Sequence, residues 1–125
     1  RWLMAGGVSS LLTNPTNSAE VYDAVANSWS AAGSLATGRG MHRSWSLGNG
    51  RYLLAGGASG TLTAPTPLAT SEIFSTATNT FSVGPSLNIA RAAAAVFATP
   101  QGQIHVFGGG TSNNTISNTT EWYYF

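Results

Sequence analysis

The sequence contains no cysteine and no lysine, and charged residues make up only 7% of its 125 residues. Soluble domains usually have about 25% charged residues. Without cysteine, a disulfide framework, a thiolate zinc site and a cysteine nucleophile are all excluded. A cysteine-free protein tolerates either redox condition, so cysteine usage does not identify the compartment, although we favour an extracellular or periplasmic location.

The few charges are scattered along the chain, with five arginines, four acidic residues and a formal net charge of +1. Proteins that bind nucleic acids carry a basic stripe that neutralises phosphates, and the sequence has none. The longest apolar run, Ala92 to Ala98, is far shorter than the roughly 18 residues of a membrane helix. We therefore expect no nucleic-acid partner and no membrane partner. The opening residues are too few for a signal peptide, and without a starting methionine we expect the natural start upstream.

What the sequence does contain is an internal repeat with a period near 50 residues. A Gly-Gly pair follows a short apolar run three times, and the pairs are 50 and 52 residues apart. A Glu-x-aromatic step follows each pair, and an arginine recurs before the next unit. The repeated positions are Gly6-Gly7, Gly56-Gly57 and Gly108-Gly109, then Glu20-Val21-Tyr22, Glu72-Ile73-Phe74 and Glu121-Trp122-Tyr123, then Arg39 and Arg91.

One complete unit is predicted to form four short strands. The short runs of apolar and β-branched residues are bounded by Gly, Asn and Pro, which favours strands and tight turns. Gly48-Asn49-Gly50 is typical of a hairpin turn with positive φ. No segment has helical periodicity, so we expect about ten strands and no helix in the whole chain. The four predicted strands cover His42–Leu47, Arg51–Ala55, Thr70–Ser75 and Thr80–Val83.

These residues resemble the kelch repeat, and the closest similarity is to the bacterial type with Glu-Val-Tyr-Asp, here Glu20 to Asp23. The resemblance covers essentially the whole chain, and its period is the one expected of kelch units. It implies an all-β fold in which each unit is one four-stranded antiparallel blade of a β-propeller. It also implies that the repeated aromatics pack between blades, so we expect Trp29 and Phe81 to be well buried.

The chain is predicted to form about two and a half blades as one partial propeller. The first blade, residues 1–39, would have only its second to fourth strands, the blade at 40–91 is complete, and residues 92–125 would form three strands of a third. Unpaired strand edges and open apolar faces favour association. We expect either a fragment of a longer chain or a homo-oligomer, with a symmetric dimer as the preferred assembly.

The long loops that follow each Gly-Gly pair are the predicted binding surface. They cover Val8–Ala19, Ala58–Ser71 and Gly110–Thr120, and are rich in Ser, Thr and Asn. Long loops on a rigid scaffold are where binding residues concentrate. The segments that enter the next blade lie on the same face and add four candidate binding residues: Arg39, Met41, His42 and Arg91.

The residues that could carry chemistry favour structural roles. His42 and His105 have no second histidine or carboxylate at metal-ligand spacing, so we expect no metal and no cofactor. Three of the four acids share one repeat position, and Arg39 and Arg91 are their candidate ion-pair partners. We assign no catalytic residue. Asn113-Asn114-Thr115 and Asn118-Thr119-Thr120 match the glycosylation pattern, and we interpret both as chance matches in a Thr-rich segment.

Two functions remain open from the sequence. The first is a binding module that presents its loops to a protein or a glycan, which is the commoner use of kelch propellers. The alternative is a fragment of a kelch-propeller enzyme whose catalytic residues lie outside this chain. Galactose oxidase belongs to the same superfamily, but its copper cofactor requires a Tyr–Cys cross-link that a cysteine-free chain cannot form. We favour a binding module over an enzyme.

Overall fold

The computed structural model describes residues 1–112 and 115–125, and this part of the chain is all-β, with twelve strands and no helix. All pairing between the strands is antiparallel. No helix of the described residues could cross a membrane. The strands are β1 (Trp2–Ala5), β2 (Ala19–Asp23), β3 (Ser28–Ala31), β4 (Arg43–Gly48), β5 (Arg51–Ala55), β6 (Ala58–Thr61), β7 (Ala64–Pro67), β8 (Ser71–Ser75), β9 (Thr80–Val83), β10 (Ala95–Ala98), β11 (Gln103–Phe107) and β12 (Thr120–Tyr124).

Ten of the strands form three successive sheets that repeat one pattern. The first sheet has the order β1-β2-β3, the middle sheet β4-β5-β8-β9 and the third sheet β10-β11-β12. The Gly-Gly pairs follow directly after β1, β5 and β11, as predicted. All six of these glycines have positive φ, between 60° and 95°. A residue with a Cβ is strained in that region, which explains why glycine recurs where these strands end.

The remaining two strands, β6 and β7, were not predicted. They form a separate two-stranded hairpin inside the loop that joins β5 to β8. Its turn is at Leu62-Thr63, and Gly60, within β6, has a positive φ of 77°. Pro65 and Pro67 lie in β7, and proline in a strand is compatible only with an edge position. The longest loop of the middle sheet is therefore an ordered element.

The three sheets pack face to face and enclose two hydrophobic cores. Between the first and middle sheets, the core contains Leu35, Leu54 and Phe74. Between the middle and third sheets, it contains seven buried residues, namely Leu53, Ala55, Leu87, Ala94, Ile104, Val106 and Tyr123. Each strand alternates its side chains between the two faces of a sheet. The middle sheet therefore contributes Leu54 to one core and Leu53 to the other.

The expectation that Trp29 is well buried is wrong, because its side chain is 51% exposed. Trp29 lies on the face of the first sheet that no other described sheet covers. Phe81, the equivalent residue of the middle sheet, is half-buried and packs against the core with Phe74. The two residues occupy the same position in the repeat, so the difference comes from what covers each sheet.

The predicted strand boundaries agree with the structure to within one residue in the middle sheet, where β4 and β8 each begin one residue later than predicted, and the larger difference is at the start of β10. We expected a strand from Ala92, but Ala93 has a φ of 56° and the regular strand begins at Ala95. Ala92 instead forms an isolated bridge with Gly110. Asn113 and Asn114, which carry one of the two glycosylation patterns, lie outside the described residues.

Candidate functional site: the loop end

The antiparallel order brings all of the longer connections to one end of the sheets. We call this the loop end, and among the described residues it consists of 6–18, 32–42, 56–70, 84–94, and 108–119 apart from 113 and 114. The short turns between β2 and β3, β4 and β5, β8 and β9, and β10 and β11 lie at the opposite, turn end. The isolated bridge between Gly40 and Ala58 joins two of the loop-end segments directly. The predicted clustering of the long loops on one face therefore follows from the strand order.

Each long loop is closed at its base by the same two hydrogen bonds. The first glycine of each pair donates its N–H to a carbonyl just before the following strand: Gly6 to Ser18, Gly56 to Thr70 and Gly108 to Thr119, each at 3.0 Å. The carbonyl of the second glycine of each pair accepts a hydrogen bond from a backbone N–H inside the loop. Gly7 accepts from Thr16, Gly57 from Leu68 and Gly109 from Ser117. The loops thus differ at their tips but share a rigid base.

Arg39 is completely buried. It lies in the connection between the first and middle sheets, and its guanidinium binds groups of the middle sheet. It forms an ion pair with Glu72 at 3.0 Å, between Nη2 and Oε2. Nη1 also donates to the carbonyls of Gly56 and Thr70, both at 2.9 Å. Glu72 accepts in addition from the backbone N–H of Ala36. We call this set of contacts the first clasp.

Arg91 repeats the arrangement between the middle and third sheets as the second clasp. Its Nε donates to Glu121 Oε2 at 3.0 Å, and Nη1 donates to the carbonyls of Gly108 and Thr119. Burial raises the pKa of the Glu121 carboxyl. The N–H groups of Asn88 and Ile89 and the Arg91 guanidinium outweigh that effect, so the pKa lies below its usual range. Glu121 is therefore held as a carboxylate.

The prediction that Arg39 and Arg91 are ion-pair partners of the repeated glutamates is confirmed. Their proposed part in ligand binding has no geometric support, because both side chains are at most 1% exposed. Their hydrogen bonds all go to groups of the protein itself. Buried arginines with satisfied carboxylate and carbonyl partners stabilise the junction between sheets.

Met41 and His42 lie at the loop end, between the first and middle sheets. Met41 is partly exposed, adopts a φ of 54°, and its carbonyl accepts from the N–H of Ala93. His42 is half-buried, and its Nδ1 is buried without a hydrogen-bond partner among the described residues. Burial and then the nearby charge of Arg39 lower the pKa of His42. Because this pKa is lowered, the His42 imidazole is neutral at neutral pH.

The loop end exposes apolar side chains and no ionised side chain. Its sequence contains only two charged residues, Arg39 and Arg91, and both are buried. Four charged residues outside these segments are exposed: Arg1 and Arg51 lie at the turn end, whereas Glu20 and Arg43 lie in β2 and β4 on the side next to the loop end. The exposed apolar side chains of the loop end are Val8, Leu11, Leu12, Met41, Leu62, Ile89 and Ile116. The loop-end segments themselves therefore expose apolar side chains and no charged one.

Leu11 and Leu62 bring the loop of the first sheet and the β6–β7 hairpin into one surface. The N–H of Leu62 donates to the carbonyl of Leu11 at 3.2 Å. A small cavity of about 70 Å³ lies between these loops, with Val8, Pro15 and Met41 in its lining. A second depression of about 230 Å³ lies over Gly6 and Gly7. Sites for small molecules usually have about 300–1,000 Å³, so this surface suits a partner that lies across it.

The sequence reasoning missed the leucines of this surface. It singled out polar loop composition and the charged residues that flank each unit, whereas the surface also exposes Leu11, Leu12 and Leu62. The available signal was the presence of leucine within Ser- and Thr-rich loops that have no charge. Solvated loops usually avoid such residues unless something covers them.

No protein-family model and no curated protein matches the chain. Within residues 1–112 and 115–125, no three His, Asp or Glu side chains come together as a possible metal site.

Proposed function

We propose that the chain is part of a kelch-type β-propeller and serves as a binding module for a protein. Three successive antiparallel sheets with the same strand order support the propeller. In each of them a Gly-Gly pair follows the strand that corresponds to the second strand of a blade, namely β1, β5 and β11. The repeated clasps at Arg39 and Arg91 also support it, because they join neighbouring units in the same way. A single repeat of this kind cannot enclose a core and needs neighbours.

The single observation that carries the binding function is the exposed, uncharged apolar surface of the loop end. The centres of protein interfaces are depleted of charged residues and bury apolar side chains. Leu11, Leu12, Met41 and Leu62 present such side chains on loops whose bases are fixed by hydrogen bonds. Fixed loops lose little conformational entropy on binding, which favours affinity.

A protein is favoured over a glycan by the residues that the loop end lacks. Its five segments contain no Phe, Tyr or Trp and no carboxylate. A sugar would therefore find neither an aromatic ring to stack on nor a charged acceptor for its hydroxyl groups. Hydroxyl and amide groups of Ser, Thr and Asn remain, and these suit the polar rim of a protein interface.

A random-peptide library displayed on phage tests this function. We expect enriched peptides to be apolar, and Leu62→Asp to weaken their binding by at least about tenfold. Val25→Asp is the matched control, since Val25 is 99% exposed in a turn at the opposite end. Binding that survives Leu62→Asp, or selective binding to an array of glycans, would contradict the proposal.

A further inference from the structure

The small cavity at the loop end lies between two sheets that both belong to the described chain. We call it the loop-end cavity, and it is lined by residues 7, 8, 15, 40, 41, 58–62 and 65. The loop after β1 contributes Val8 and Pro15 to this lining, and the β6–β7 hairpin contributes Leu62 and Pro65. Val8 and Leu62 are 39% and 36% exposed, so the cavity reaches the surface. Because the loops on both sides are described, it is not the open face of a terminal sheet.

Backbone hydrogen bonds fix the walls of the loop-end cavity. Gly40 and Ala58 are the buried part of the lining. The N–H of Gly40 donates to the carbonyl of Ala58 at 3.0 Å, and the N–H of Ala58 donates back to Gly40 at 2.8 Å. Near the surface, the N–H of Leu62 donates to the carbonyl of Leu11 at 3.2 Å. Walls that are fixed in this way require little further ordering when the cavity is filled.

The volume and the chemistry of the loop-end cavity select a small apolar group. Its volume is about 70 Å³, roughly half that of an apolar cavity of about 150 Å³ that holds a benzene ring. Every described residue of the lining is uncharged, and Val8, Pro15, Met41 and Leu62 supply apolar side chains. An aromatic ring is therefore too large, whereas the isopropyl group of a valine or leucine side chain fits.

The repeat shows that the cavity lies where one unit lacks a methyl group. Gly40 and Met41 correspond to Ala92 and Ala93 at the next junction. Met41 and Ala93 both adopt positive φ, of 54° and 56°. Gly40 and Ala92 each form an isolated antiparallel bridge with the residue that follows the next Gly-Gly pair. The repeat position that is glycine at the loop-end cavity therefore carries a methyl group in the following unit.

A methyl group at position 40 would occupy part of the loop-end cavity. A Cβ at Gly40 would lie 3.5 Å from Val8 Cγ1 and 3.8 Å from Pro15 Cγ, which is ordinary van der Waals contact. Gly40 is not among the glycines with positive φ, so its backbone is compatible with alanine. Gly40→Ala would thus reduce the space between Val8 and Pro15 without displacing the loops.

We propose that the loop-end cavity receives one branched aliphatic side chain, that of a valine or a leucine, from the protein partner. This assignment rests on the proposed binding function and specifies the side chain that the partner presents. The apolar lining, the volume below that of a ring and the hydrogen-bonded walls carry it. A side chain that fills a well-packed, desolvated pocket contributes more to affinity than the contacts around it, so this side chain is the anchor of the interface.

Peptides enriched from the random library on phage are the probe for the anchor. We expect one valine or leucine to recur among them, and its replacement by either alanine or phenylalanine should weaken binding at least about tenfold. Gly40→Ala should weaken binding of the same peptide at least about tenfold, because the added methyl takes the place of part of the anchor. Gly110→Ala is the matched control. A Cβ there meets nothing within 4 Å, so the affinity should not change.

Nuclear magnetic resonance locates the bound peptide independently of affinity. The methyl resonances of Val8 and Met41 should shift when the enriched peptide is added, and those of Val25, at the opposite end, should not. Thermal melting checks that Gly40→Ala and Gly110→Ala remain folded, since alanine at a compatible glycine position usually retains or raises stability.

The anchor and the binding function fail in different ways. Peptides that are weakened by Leu62→Asp but bind Gly40→Ala as tightly as the unmodified chain would leave the binding function standing and overturn the anchor. Full affinity with phenylalanine at the recurring position, or unshifted resonances of Val8 and Met41, would also overturn it. A library that yields no enriched peptide would overturn both.

Discussion

Arg39 and Arg91 each bind two neighbouring sheets, one through the backbone carbonyl and the other through the side-chain guanidinium. The carbonyl of Arg39 accepts from the N–H of Gly7 in the first sheet's loop, while its guanidinium binds Glu72 and Gly56 of the middle sheet. Arg91 does the same with Gly57 and the third sheet. At the residue scale, the junctions therefore depend on single arginines that are completely desolvated.

Removal of the Arg39 side chain should be strongly destabilising. Arg39→Ala leaves the Glu72 carboxylate buried without its cation, and breaking a buried pair in this way costs about 3–5 kcal/mol. The measurement is the free energy of unfolding from urea melts. Arg51→Ala is the control, because Arg51 is exposed and such surface changes stay within about 0.5 kcal/mol. Equal effects of the two substitutions would contradict the clasp.

Glu121 should make the stability of the chain depend on pH in the acidic range. Its pKa is lower in the folded state than the ordinary value of about 4.3. The unfolded state therefore binds a proton first as the pH falls, and stability is lost between about pH 4.3 and the lower folded pKa. Urea melts at a series of acidic pH values should show a shallower loss for Glu121→Gln than for the unmodified chain. Parallel curves for the two proteins would refute this linkage.

Gly57 and Gly7 share one repeat position but differ in what surrounds them. Both have positive φ, and a Cβ at Gly57 would lie 2.4 Å from the carbonyl oxygen of Gly40, whereas a Cβ at Gly7 meets nothing within 4 Å. Gly7→Ala should cost only the conformational strain of about 1–2 kcal/mol. Gly57→Ala should cost clearly more in the same urea melts, since backbone must move. A similar cost at both positions would show that the clash is relieved without strain.

At the scale of the elements, sequence reasoning identified the ten sheet strands and the points where three of them end. The glycines with positive φ and the repeated aromatic positions carry that information locally. The hairpin β6–β7 was missed because Ala58–Thr61 and Ala64–Pro67 have no alternation of apolar and polar residues. The exposure of Trp29 was missed because burial depends on a neighbouring sheet, which local sequence does not encode.

Phe74 and Trp29 should differ in their contribution to stability, although both belong to the aromatic positions of the repeat. Phe74 is 1% exposed in the core between two sheets, and Phe74→Ala should cost about 3–5 kcal/mol. Trp29→Ala should cost about 1 kcal/mol, as is usual for partly exposed positions. Urea melts of the two variants provide the comparison. A cost at Trp29 equal to that at Phe74 would mean that its face is covered within one chain.

The two clasps use the same set of partners, a glutamate, a Gly-Gly carbonyl and a threonine, in both junctions. At the scale of the whole molecule, Arg39, in the connection between the first and middle sheets, can therefore meet two sites of the same chemistry during folding. One is Glu72 with its neighbours in the middle sheet, and the other is Glu121 with its neighbours in the third sheet. Docking of Arg39 at Glu121 would leave out the middle sheet and form a misassembled intermediate, a characteristic failure of repeat proteins. Escape from that intermediate would require a buried ion pair to break, so the chemical similarity of the two clasps would slow folding whenever the wrong pair formed first.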